Sequence, residues 1–234
     1  MKSLFFLLKG AKFGPALWSA GSIVLSIWTY AFIFGWPFAA GFVGLIFIHE
    51  LGHYLAAVQR GLPVGLPMFI PFLGAYIQLK DQPKDAETEA YVAYAGPFVG
   101  SLAAFACFFI WRNGEGPIWL ALAKSGLILN LFNLIPLSPL DGGRITAVLG
   151  PRIWFLGVPV LLGVWAYMPS PMLILIAVFA IPQLMLAWRY VPKAPENVAY
   201  YGVPLAVKLE YVTLYFGLAV ILGLMVSELH AIQR

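Results

Sequence analysis

The sequence predicts an all-α polytopic membrane protein of about six or seven transmembrane helices, with a re-entrant Pro/Gly-rich loop and a short β element after the second helix. Three observations predict it. Of the 234 residues, 62% are hydrophobic and only 10% charged, which neither a water-soluble globule nor a disordered chain can accommodate. Apolar stretches of the roughly 17 to 25 residues needed to cross a hydrocarbon core recur along the chain, bounded by charge, Gly or Pro. Between the second and third of them, residues 61–79 are apolar but broken by Pro63, Pro67 and Pro71 together with Gly61, Gly65 and Gly74, which forbids a regular spanning helix.

Taken in order, the chain opens with Lys2, a short apolar run from Leu4 to Leu8, then Lys9 and Lys12. The run is too brief for the core of a signal peptide and reads as an interfacial lead-in. Seven apolar candidates follow: Ala16–Phe34, Trp36–Val58, Ala90–Trp111, Pro117–Ser138, Ile153–Met168, Pro171–Trp188 and Pro204–Val226. The fifth and sixth are short and joined only by Pro169 and Ser170, as in a tight helical hairpin. The seventh begins with Lys208 and Glu210 behind a Tyr-rich lead-in, which equally suits a partly interfacial helix, and the side of the C-terminus stays open. The whole chain, 1–234, reads as a single transmembrane domain, since no repeat or linker divides it.

Charge sets the orientation. With a cytoplasmic N-terminus, Lys2, Lys9, Lys12, Arg60, Lys80, Lys84, Arg144, Arg152, Arg189, Lys193 and Lys208 fall on the cytoplasmic side, Arg112 and Arg234 fall outside, and Lys124 lies within a span. That asymmetry follows the positive-inside rule. The net charge of +4 therefore reflects topology; the basic residues form no run, and nucleic-acid binding is not expected. Cys107 is the single cysteine and sits in an apolar stretch, which excludes a disulfide scaffold.

The segment 61–79 is expected to dip into the membrane and return, with Ala75–Leu79 strand-like in composition. Irregular backbone at that depth requires surrounding protein or a water-filled cavity, which places a cavity beside the second span. The alternative is a loop lying among the headgroups.

The chemistry lies in His49-Glu50-Leu51-Gly52-His53, inside that second span. Spacing of i and i+4 puts both imidazoles on one helix face, where they can share a metal ion, and Glu50 occupies the position of a metalloprotease general base. An ionisable group in hydrocarbon costs on the order of 3 kcal/mol, so three together need a reason; the alternative is a polar trio tying helices together. Catalytic zinc normally takes three protein ligands and a water. A third ligand could come from Asp141, which follows Pro136 and Pro139 at the cytoplasmic end of the fourth span and precedes Gly142 and Gly143. The glycines would free the backbone to turn the carboxylate inward. Alone, Asp141 reads more simply as a turn residue capping the next segment.

Together, His49 to His53 and the later Leu140-Asp141-Gly142 resemble the site-2 protease family of intramembrane zinc metalloproteases, with further agreement at Asn133, at Ala95-Gly96-Pro97 and in the Gly-rich segment around Gly74. The resemblance covers roughly 36–150. It implies a catalytic core over 36–150 flanked by helices in 1–35 and 151–234, one zinc per chain held by His49, His53 and Asp141, and Glu50 as base. It further implies Asn133 near the reacting carbonyl, and a loop with its strand, around Gly74 and Tyr76, that receives the substrate. The activity implied is hydrolysis of single-span membrane proteins or membrane-embedded peptides near the cytoplasmic face of the bilayer. Two other classes fit parts of the pattern. One is a divalent-metal transporter using the same four residues, which transport folds normally place between repeats that this chain lacks. The other is a catalytically silent relative that binds membrane clients.

Overall fold

The computed structural model describes residues 2–232, with side chains from residue 14 onward. Met1, Gln233 and Arg234 lie outside the described residues, as do the side chains of residues 2–13, and with them the charges of Lys2, Lys9, Lys12 and Arg234. The backbone of the expected interfacial lead-in continues without a break into the first helix, α1 (Lys2–Phe34). Gly35, at φ 81°, turns the chain in one residue, a conformation open mainly to glycine. Helix α2 (Trp36–Gln59) then starts with Pro37 in its first turn, where a missing N–H costs nothing.

After α2 the Pro/Gly segment forms an antiparallel hairpin of β1 (Met68–Ile70) and β2 (Gly74–Tyr76), pairing Met68 with Tyr76, Phe69 with Ala75 and Ile70 with Gly74. The strand thus begins one residue earlier than expected and ends at Tyr76. Its partner, β1, lies between Pro67 and Pro71, which limits it to three residues. Outside the strands the ribbon continues through Gly65 N–H to Gln78 O (2.8 Å) and Lys80 N–H to Pro63 O (2.9 Å). Ser19 donates to Pro67 O, Phe69 N–H donates to Ser22 Oγ (3.1 Å), and Phe72 N–H donates to Tyr30 Oη (3.0 Å), fastening the hairpin to α1.

Helix α3 (Ala86–Arg112) is capped by Asp85, whose side chain accepts from Thr88 N–H at 2.7 Å. Helix α4 (Pro117–Asn133) follows, and α2, α3 and α4 pack side by side as the centre of the molecule. Small residues make the α2–α3 seam tight: a Cβ at Gly52 would overlap the carbonyl of Ala95, a close backbone approach characteristic of membrane helices. The last helix, α9 (Leu205–Ile232), closes this core with Tyr211, Tyr215, Leu218, Leu222 and Leu229, and Tyr215 donates to the carbonyl of Leu134.

Among the described residues, five helical segments are long and apolar enough to cross a membrane: Gly14–Phe34, Trp36–Gln59, Ala86–Arg112, Pro171–Trp188 and Leu205–Ile232. The chain is a multi-pass integral membrane protein. Two of the seven expected spans are shorter. α4 has 17 residues and stops at Asn133, because the chain turns at Leu134 ahead of Pro136. The stretch expected over Ile153–Met168 divides into a 3₁₀ turn, Pro151–Leu156, and α6 (Gly157–Tyr167), only 11 residues long. Gly157 marks the division, since a Cβ there would press on the Pro136 carbonyl. Helix α7 (Pro171–Trp188) packs on the 3₁₀ turn and on α6, and α8 (Pro195–Tyr201) leads into α9.

Candidate metal centre

α2 presents His49, Glu50 and His53 to the interior, all three buried. The chain leaving α4 doubles back through buried Leu134, Ile135, Leu137 and Leu140 and enters α5 (Asp141–Thr146). Asp141 is its first residue, and its carboxylate does not cap the helix. Asp141 Oδ2 lies 3.1 Å from His49 Nε2 and 3.2 Å from His53 Nε2, and the two Nε2 atoms are 3.1 Å apart. Gly142 and Gly143 serve a purpose other than the expected backbone freedom. Both are helical within α5, and a Cβ on either would collide with the backbone of residues 134–138 folded against them.

This triangle has the size of a metal site. Four ligands about 2.0–2.1 Å from a tetrahedral zinc stand roughly 3.3 Å from one another, close to the three edges found. The imidazoles are also oriented for it. His49 Nδ1–H donates to Asn130 Oδ1 (2.8 Å) and His53 Nδ1–H donates to Val92 O (2.8 Å), so each ring turns its Nε2 to the shared point, as metal-binding imidazoles do. With the protons on Nδ1, the two Nε2 lone pairs and the Asp141 Oδ2 converge at 3.1–3.2 Å and would repel one another, whereas a cation at the centre reconciles them. The donor set therefore fits zinc. Glu50 joins the same cluster, with ligand atoms of His49, Glu50 and His53 all within 4.8 Å, but it stands outside the tighter triangle.

Space for these groups is made by glycine. A Cβ at Gly96 would occupy the position of the His53 ring, and one at Gly100 would displace the Asn130 amide. Asn130, which the sequence alone leaves open between joining helices and lining the cavity, and the Val92 carbonyl are the two parts of the site that the motifs do not mark. A backbone carbonyl leaves no mark in a sequence; for Asn130 the available signal was its position one turn before Asn133 on α4.

The centre opens into a cavity of about 610 Å³ lined by His49, Glu50, His53, Asp141, Arg144, Asn133, Leu73–Ile77 and one face of α7. The structure thus brings Asn133, Gly74 and Tyr76 to the same cavity as the His/Glu/Asp cluster. Asn133 uses one N–H on Leu129 O (3.1 Å). In the hairpin, Phe69 commits its N–H to Ser22, so the Phe69–Ala75 pair is a non-hydrogen-bonded one and Ala75 turns its N–H and C=O away from β1. At the cavity's edge, Glu89 accepts from Arg144 Nε (3.3 Å) and from Tyr200 Oη (2.6 Å), which ties α3 to α5 and α8.

Residues 37–116 match the family described as Peptidase family M50. A probable chloroplastic zinc metalloprotease, EGY1, of Arabidopsis thaliana is 37% identical over 79 residues, covering 32% of this chain and 14% of that protein. A zinc metalloprotease of Methanocaldococcus jannaschii is 30% identical over 141 residues, covering 57% of this chain and 40% of that protein. The solved structure of a site-2 protease from the same archaeon overlaps 72% of this chain and 87% of that one, with 24% identity and a TM-score of 0.46. The chain spans less than half the length of both curated relatives. From the M50 segment at 37–116 and the zinc metalloproteases that match around it, the chain is similar to the site-2 protease family of zinc metalloproteases.

Proposed function

We propose that this chain is an intramembrane zinc endopeptidase that cuts membrane-embedded substrates near the cytoplasmic face. The observation that carries the reading is the metal-sized triangle of His49, His53 and Asp141, with Glu50 beside it, on and against a helix apolar enough to span a membrane. Residues 36–150 form the catalytic core, the flanking segments enclose it, and the N-terminus is cytoplasmic. Zinc held by the triangle supplies Lewis acidity to the scissile carbonyl and to the attacking water.

Glu50 takes one proton from that water as its oxygen bonds to the carbonyl carbon, and delivers it to the nitrogen as the C–N bond breaks. Asn133 has a second amide N–H that is free to steady the carbonyl oxygen. A transmembrane helix hides its carbonyls in i to i−4 bonds, so the substrate must unwind to be cut. An unwound segment in hydrocarbon needs backbone partners, and the outward N–H and C=O of Ala75, between Gly74 and Tyr76, offer them by strand addition. The re-entrant placement of 61–79 belongs to the same reading. Partners are then a single-span protein or membrane-embedded peptide and the bilayer itself.

The test is reconstitution with a panel of single-span membrane proteins, comparing wild type with Glu50→Gln. Products formed by wild type and reduced at least about a hundredfold in the variant support the reading. Equal cleavage by both would remove Glu50 from the chemistry, and zinc flux without cleavage would favour transport.

A further inference from the structure

Helix α7 is apolar at every position but one. Between Pro171 and Trp188 its side chains are hydrocarbon, thioether or aromatic, apart from Gln183. Met172, Leu175, Ile176, Phe179 and Gln183 recur at helical spacing, and this stripe lines the cavity that holds His49, Glu50 and Asp141. The side chains that seat α7 on its neighbours, Leu173, Ala180 and Ala187, form a stripe beside it, with Ile176 on the shared edge.

A primary amide offers two donors and an acceptor. Among the described residues, none of those of Gln183 has a protein partner. Pro182 has no N–H and so leaves the Val178 carbonyl without its helical donor, but Gln183 does not supply the missing bond. An unpartnered amide in a spanning helix costs free energy, and it faces the one cavity where an extended peptide would need it. A strand added to β2 directs alternate N–H and C=O groups to Ala75 and the others away from the hairpin. On the α7 side of the cavity, the lining is apolar except for Gln183.

We propose that Gln183 is a substrate-binding residue whose side-chain amide pairs with backbone N–H or C=O groups on the outer edge of an extended peptide held against β2. The inference rests on the protease reading and deepens it: a contact to backbone selects substrates by their readiness to unwind and is indifferent to side-chain sequence.

The experiment uses the zinc-loaded full chain in bicelles with a single-span peptide, comparing wild type with Gln183→Met, which keeps the length and removes the hydrogen bonds. The expected result is a KM raised about tenfold, with kcat changed less than about twofold and zinc content unchanged. Backbone N-methylation scanned along the peptide should reveal a position that penalises wild type but not Gln183→Met. An unchanged KM, or a raised KM accompanied by a lower unfolding temperature and lost zinc, would overturn the inference. Peptide binding measured in the Glu50→Gln background separates the two levels. Binding weakened about tenfold by Gln183→Met without any wild-type cleavage keeps the inference and sinks the protease reading, whereas cleavage with an unaltered KM does the reverse. Absence of both binding and cleavage overturns both.

Discussion

Asn130 Oδ1 lies 2.8 Å from His49 Nδ1, and the amide cannot be turned over, because its Nδ2 donates to Gly126 O at 2.7 Å. The acceptor therefore faces the imidazole, the proton sits on Nδ1, and the Nε2 lone pair points to Asp141 and His53. Asn130→Leu, which keeps the volume and loses the acceptor, should weaken zinc binding about 10- to 100-fold. Competition with a chromophoric chelator measures it; unaltered affinity would mean that packing alone orients His49.

The ligand triangle makes its own forecast. His49→Ala, His53→Ala and Asp141→Ala should each deplete zinc, while Glu50→Gln, outside the triangle, should keep about one zinc per chain and lose activity. Metal analysis of purified protein decides. Normal zinc content in Asp141→Ala would reduce that carboxylate to an ion-pair partner of the two imidazoles.

At Ala75 the hairpin's free edge can be removed without breaking its ladder. Ala75 stands in a non-hydrogen-bonded pair with Phe69, so Ala75→Pro deletes an N–H directed away from β1. Cleavage of a membrane-embedded peptide should fall at least about tenfold, with zinc content and thermal unfolding close to wild type. Wild-type turnover would argue against strand addition.

Tyr200 predicts a pH dependence at the membrane surface. Burial and then the adjacent Glu89 carboxylate raise its phenol above the ordinary value of 10.0. Since the folded value is raised, the resulting stability is present in full below pH 10.0 and is lost as pH rises further, when the unfolded phenol ionises and the folded one does not. The thermal-stability gap between wild type and Tyr200→Phe should be constant from pH 7 to about 9 and narrow above about 10. A gap that widens in alkali would contradict the shift.

Orientation is open to labelling. Lys84 and Glu115 are exposed at opposite ends of α3 and its following turn. In a Cys107→Ala background, Lys84→Cys should react with an impermeant thiol reagent only from the cytoplasmic side and Glu115→Cys only from outside. The opposite pattern would invert the topology and leave the metal residues as assigned.

How far the sequence leads depends on whether a feature is carried by side-chain type or by the path of the backbone. The HExxH pattern fixes two imidazoles on one face by helical period alone, and Pro136 and Pro139 mark the turn that brings Asp141 back. Those are local rules. The Val92 carbonyl has no residue type to announce it, and Asn130 is legible only once Gly100 on a neighbouring helix is known to lie against it. The stretch from Ile153 shows the limit of hydropathy. Its composition suits a span, but Gly150, Pro151 and Gly157 divert it into a 3₁₀ turn packed under the 134–140 loop, and an apolar count does not register that. The hairpin was displaced for a similar reason, since the pairing of Ile70 with Gly74 is decided by the turn at 71–73 and not by strand composition.

The glycines where α3 meets α2 and α4 invert the usual map of mutational tolerance. In an exposed helix, exchanging Gly for Ala gains about 1 kcal/mol, and by size it is the mildest substitution available. At Gly52, Gly96 and Gly100 the added methyl meets the Ala95 carbonyl, the His53 ring and the Asn130 amide, none of which can withdraw without moving a helix or a ligand. Large exposed residues such as Phe32 and Leu224 meet no such obstacle. A saturation scan of this chain would therefore find its least forgiving positions where the side chain is absent, and a lineage that drifts freely on its lipid face would remain pinned at three hydrogen atoms.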